Sequence, residues 1–135
     1  MTKIVINQQH GGFGLSPKAQ KRYLELIGKE CYFYQHDIKN YMRISVEDAE
    51  NKIFVVTVIQ DLGVEPDKIP NDAYWNDYDL ERDDPLLIQV VNELGAEANG
   101  RFSNLVVFEI PDGVEWQVDD YDGWETIHEK HRMWG

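Results

Sequence analysis

The sequence predicts an α+β fold in a single domain over residues 1–135, with one mixed β-sheet of about five strands and two main helices packed on it. A small α/β sandwich is the variant of the same reading. Three observations lead there. Short β-branched runs are scattered along the chain, two segments begin with a capping residue followed by proline, and turn residues punctuate the intervals.

Lys3-Ile4-Val5-Ile6-Asn7 is short, β-branched and closed by a polar residue, so it reads as a strand. Gly11, Gly12 and Gly14 follow, and three glycines in four positions favour conformations that other residues avoid. Ser16 then caps a helix whose first position is Pro17, where a missing N–H is harmless. Ala19, Tyr23, Leu24 and Ile27 recur at helical spacing, and Gly28 is the expected stop. Cys31 to Gln35 is a compact aromatic run that reads as a buried strand. With the preceding strand and helix it makes a βαβ unit if the two strands are parallel neighbours. His36 to Asn51 has no clear period and reads as a polar loop with room for a short helical turn. Ile53 to Ile59, β-branched and too short for a helix, reads as a central strand.

Asp61 to Asp84 is the longest irregular stretch, and segments of this kind inside a domain are commonly functional or mobile. Its Tyr74, Trp75 and Tyr78 form a stacking platform for a base, an interface anchor or a lid of ordinary packing. A second helix starts with Asp84 as cap and Pro85 as first residue. Leu87, Val90, Val91 and Leu94 form its apolar stripe; Gly95 weakens it and Gly100 is the expected end. Leu105 to Ile110 reads as a strand, Pro111-Asp112-Gly113 as a turn, and Val114 to Val118 as the hairpin partner, broken by Asp119 to Gly123. Trp124 to Trp134 is amphipathic as either strand or helix.

Charge narrows the function classes. The chain carries a net −12, divided into +4 over residues 1–43 and −16 over the remaining 92. An acidic surface disfavours non-specific nucleic-acid binding, which depends on Lys and Arg neutralising phosphates. A local basic pocket for a small anion remains compatible, with the N-terminal third the better host. A single cysteine, Cys31, leaves no internal disulfide framework or multi-cysteine metal site. No apolar run reaches a membrane span's length and no signal peptide is visible, so a soluble cytoplasmic protein is expected, with no membrane partner.

Catalytic constellations are weak. His128 and His131 are three apart but lack a third ligand at recognisable spacing, so no metal is expected. Adjacent carboxylates such as Asp83-Asp84 and Asp119-Asp120 fit a solvated face. Cys31 sits among aromatics, where burial raises a thiol's pKa and makes a poor nucleophile. Neither catalysis nor a cofactor is expected. Anion recognition is what remains. The backbone N–H groups from Gly12 to Leu15 at a helix start suit a phosphate, although the glycines alternatively serve only to relieve sterics. Arg82, Arg101, Lys130 and Arg132 are sparse cations that either meet a ligand or pair with neighbours, Arg82 with Glu81 or Asp83 and Arg132 with Glu129.

The motifs Val5-Ile6-Asn7 with Gly11-Gly12-Phe13-Gly14-Leu15-Ser16, Asp84-Pro85-Leu86, Ile110-Pro111-Asp112-Gly113-Val114 and the ending His128 to Arg132 resemble a set of small phage and prophage proteins. In kind that set is similar to the anti-Thoeris family, which sequesters cyclic ADP-ribose-type signals. The resemblance implies an anti-defence protein in the cytoplasm of an infected bacterial cell. Such a protein would bind a small anionic nucleotide signal without turnover, as a homo-oligomer whose subunits complete the pocket. Residue chemistry nominates Gly11, Gly12, Phe13, Gly14, Leu15, Ser16, Arg82, Arg101, Asn104, His128 and Arg132, with Trp75 and Phe102, as ligand contacts. The rival expectation is an acidic protein-interaction inhibitor that mimics nucleic acid, using Asp61 to Asp84 and Glu109 to Glu125.

Overall fold

The computed structural model describes residues 1–36 and 39–130. Among these residues the fold is α+β, with seven strands distributed over three small sheets rather than one sheet of five. Every strand pair is antiparallel.

Strand β1 (Thr2–Asn7) pairs with β5 (Leu105–Ile110), Thr2 opposite Ile110 and Asn7 opposite Leu105. The chain leaves β1 through the glycine segment into helix α1 (Pro17–Leu26). The Ser16 Oγ accepts the Ala19 N–H there, as the cap pattern anticipates. Gly28 (φ +74) ends it: its N–H meets the Glu25 carbonyl and the Lys29 N–H meets that of Leu24, a Schellman closure.

The expected βαβ unit does not form. Strand β2 (Tyr32–His36) joins a different sheet, where it lies between β3 (Tyr41–Ile44) and β4 (Val55–Val58). The stretch read as loop supplies β3 and the short helix α2 (Val46–Asn51), capped by Ser45. The run read as a central strand is shorter and lies at the sheet edge. Ile53 and Phe54 are exposed, and Phe54 turns the chain at φ +59 before β4 begins. Beyond β4 the outer edge is covered by the 73–75 segment, through Ile59 N–H to Ala73 O and Trp75 N–H to Thr57 O.

Helix α3 (Pro85–Leu94) is capped by Asp84, and Gly95 at φ +56 is its stop; a 3-10 turn (Gly95–Ala98) follows. Helices α1 and α3 pack together over the β1–β5 pair. Val5, Ala19, Tyr23, Leu87, Val90 and Leu105 form that core with Phe13, Leu15 and Ala98. Tyr34, Val58, Ile69 and Ala73 make a second, smaller cluster beneath the three-stranded sheet. Tyr23 ties α1 to the start of α3, its Oη donating to Asp84 at 2.5 Å. Burial first, and the Asp84 carboxylate second, push this phenol up to about 12.

The last sheet is a hairpin of β6 (Trp116–Tyr121) and β7 (Trp124–Glu129), so Val114 to Val118 does not pair with Leu105–Ile110. Asp122 (φ +50) and Gly123 (φ +86) are both left-handed, the requirement of a two-residue type I′ turn. The five-residue connection from Ile110 to Trp116 instead lets the chain leave the first sheet.

Candidate functional site

The glycine segment is a seat for the hairpin. A Cβ at Gly123 would overlap the backbone nitrogens of Gly11 and Gly12, and one at Gly11 would lie 2.6 Å from the Phe102 Cβ. Three backbones therefore approach more closely than any side chain permits. Asn7 holds the arrangement: its Nδ2 donates to the carbonyls of Gln9 and Gly123, both at 2.7 Å, and its Oδ1 accepts the Asn104 N–H.

Beneath this seat lies an ion pair. Arg82 donates to both oxygens of Glu125, at 2.5 and 2.7 Å, and the Asn7 N–H donates to the same carboxylate at 2.8 Å. Glu125 is only 3% exposed, and the guanidinium stacks 3.7 Å above the Phe13 ring. Arg82 thus pairs with a carboxylate from the hairpin, not with Glu81 or Asp83 as anticipated from the sequence. One of the N–H groups assigned to a phosphate is committed as well: Leu15 donates to Asp77 Oδ2 at 2.8 Å, while the neighbouring Gly11 N–H donates to the Asp122 carbonyl. Burial raises the Asp77 pKa above the usual carboxylate range, a shift that the Leu15 N–H opposes. Gly14 O is held by Gly100 N–H and Ser103 Oγ. At Gly11 and Gly12 the close approach and positive φ fit the steric role, whereas a Cβ at Gly14 would meet nothing closer than 4.0 Å.

Other nominated residues meet elsewhere. A cleft of about 690 Å³ opens between the start of α1, the α2–β4 connection and the turn at 99–102. Leu15, Ser16, Arg101 and Phe102 line it, joined by Glu50, Lys52, Ile53 and Phe54. Two aromatic rings stand open to solvent at its walls, Phe102 at 62% and Phe54 at 76% exposure. Phe54 holds its ring there from a left-handed backbone, a conformation that costs a bulky residue on the order of 1–3 kcal/mol. Arg101 and Lys52 are both exposed and, among the described residues, neither forms an ion pair. Among the described residues Glu50 is the one lining carboxylate, engaged by the Lys18 N–H at 2.9 Å. The charged lining therefore sums to +1 in a chain of −12.

The cleft floor is a closed polar chain. Thr57 Oγ1 donates to Gln20 Oε1, and Gln20 Nε2 donates to the Leu15 carbonyl. Ser16 is consumed likewise, donating to Glu97 O while capping α1. Beyond Gln20, Val55 and Thr57 the cleft adjoins a depression of about 360 Å³ that reaches Trp75 and Asp77. Trp75 is half-buried with its ring 5.8 Å from that of Tyr23, so it combines packing with a face on the groove.

Gly11, Gly12, Phe13 and Arg82 are drawn into the hairpin seat, Asn104 lies beside it, and Gly14 packs instead on the 100–103 turn. His128 sits on β7, 3.4 Å from Asp119 and 2.9 Å from Thr126 Oγ1, and does not line the cleft. His131 and Arg132 lie outside the described residues. Lys52 and Phe54 were not anticipated by the sequence reading. Their only sequence signal, an apolar run preceded by a lysine, is equally that of a buried strand. Compared with known protein families, with curated proteins and with solved structures, the chain matches none.

Proposed function

We propose that the protein binds a small anionic, ring-bearing ligand of the nucleotide class in this cleft and holds it without chemical change. One observation carries the reading: two solvent-exposed phenylalanine rings share a cleft with two cations that form no ion pair among the described residues, on an otherwise acidic chain. Rings offer stacking faces to a base, and Arg101 offers a fork of donors to a phosphate. Its volume falls within the range of small-molecule sites. Support for binding without turnover comes from the hydroxyls of Ser16 and Thr57, both committed to structural hydrogen bonds. Sequestration of an immune signal in an infected cell is the setting that the phage resemblance suggests.

The test is a thermal-shift screen against cyclic nucleotides and ADP-ribose derivatives, followed by heat release and identification of the ligand. A shift of several degrees with one nucleotide, recovered unchanged, is the expected result. A cleaved product would make the protein an enzyme. No shift with any member would overturn nucleotide binding.

A further inference from the structure

The hairpin carries an exposed depression lined by aromatic and acidic residues, which shares no lining residue with the cleft. Tyr121 and Trp124 form the cross-strand pair beside the turn, and Asp119 opposite Thr126 forms the next pair on the same face. These four, with His10 and Asp120, line a depression of about 410 Å³. Tyr121 is 80% exposed and Trp124 39%, an unusual display of aromatic area on a two-stranded ribbon.

Charge selects the occupant. Glu109 through Glu129 contains eight Asp or Glu and no Lys or Arg. The only one of these carboxylates joined to an arginine among the described residues is the buried Glu125. Asp119 is oriented on the ribbon by Gln117 Nε2 at 3.1 Å and His128 Nε2 at 3.4 Å, which places an anion beside the aromatic pair. An imidazole already lies beside the indole: the His10 ring is 5.5 Å from that of Trp124 and tilted 50° to it, with Nδ1 bonded to the Asp122 carbonyl at 3.1 Å. An aromatic face with a carboxylate at its rim is what a guanidinium or ammonium group with an aliphatic stem requires.

We propose that this face docks a basic segment of a partner protein, one Arg or Lys side chain lying across Trp124 with its charge against Asp119.

The probe is N-acetyl-arginine methylamide, with the citrulline analogue as the uncharged control, titrated into isotope-labelled protein and followed by amide and indole resonances. The arginine probe is expected to shift the Trp124 indole and the 119–126 amides, while citrulline does not. Trp124→Leu or Asp119→Asn should weaken it about threefold to tenfold, the span of exposed cation–π and ion-pair contributions. Arg101→Ala, in the cleft, should leave it unchanged, which separates this site from nucleotide binding. Shifts spread evenly over the acidic surface, equal response to citrulline, or undiminished binding by a folded Trp124→Leu variant would each overturn the proposal.

Discussion

Glu125→Gln is the substitution that bears hardest on how this fold is held. The glutamine is nearly isosteric and keeps an oxygen for the Asn7 N–H, so the change is essentially one of charge. In the native protein the Glu125 carboxylate receives three donors, two from Arg82 and one from the main chain of β1. Both side chains are mostly out of water, at 18% and 4% exposure. Removing the anion leaves the guanidinium against Phe13 with a neutral amide oxygen, shared with the Asn7 N–H, and the Val5 carbonyl at 3.4 Å as its acceptors, and sets its Nη2 against an amide –NH2. Breaking a buried pair from one side costs about 3–5 kcal/mol. The residual exposure of Arg82 favours the lower end, about 3 kcal/mol. For a chain of this size that lowers Tm by roughly 10–15 °C. The assay is urea denaturation at neutral pH on Glu125→Gln, Arg82→Met and the double variant. The double variant should recover much of the loss, because two well-packed neutral groups replace an orphaned charge. A cost below about 1 kcal/mol for Glu125→Gln, or strict additivity of the two singles, would refute the claim that this pair ties hairpin to core.

Gly123→Ala should destabilise by about 2–4 kcal/mol, since it adds left-handed strain and overlap with two backbones. Gly63→Ala, at nearly the same φ but with open space around it, should cost only the strain, about 1–2 kcal/mol; equal losses in denaturation curves would remove the close approach from the explanation. Phe54→Asn should raise stability by about 0.5–1 kcal/mol, because asparagine tolerates the left-handed region and little buried area is lost, while nucleotide affinity falls. Calorimetry with a bound nucleotide checks both halves. The Tyr23 phenol is raised on folding from 10 to about 12, so the protonated form contributes stability in full below pH 10 and loses it between pH 10 and 12. Wild type should exceed Tyr23→Phe by about 1–3 kcal/mol at pH 9, with the gap closing by pH 12; a constant gap across that range would dissociate the hydrogen bond from the titration.

Local signals in the chain were read correctly where the residue's own conformational preference decides the outcome. Ser16-Pro17 and Asp84-Pro85 start helices because a side-chain cap and a missing N–H suit those positions whatever the tertiary surroundings. Gly28 ends α1 for a similarly local reason. Sheet partners were not legible. β1 pairs with β5 across about a hundred residues, a choice set by which apolar faces α1 and α3 cover together. Asp122-Gly123 carried a turn signal, yet the surrounding acidic residues suggested an interruption rather than a hairpin tip. The site was half visible. Arg101 and Phe102 were nominated from charge and ring chemistry, and the cleft gathers both. Arg82 was nominated on the same grounds, but its partner lies 43 residues away on another sheet. Phe54 could not be recognised, because exposure of a residue in an apolar run follows from its backbone angle, which no neighbouring residue type dictates.

The most direct test of the central claim is equilibrium binding of the best nucleotide from the screen to wild type, Arg101→Ala and Phe102→Ala, with each variant's fold verified. Both substituted side chains are exposed, so their loss should leave stability nearly unchanged. Binding in the cleft predicts that Arg101→Ala weakens affinity at least tenfold and reduces its salt dependence, and that Phe102→Ala weakens it several-fold. Unchanged affinity in both variants, with the nucleotide still bound, would place the ligand elsewhere and contradict the assignment.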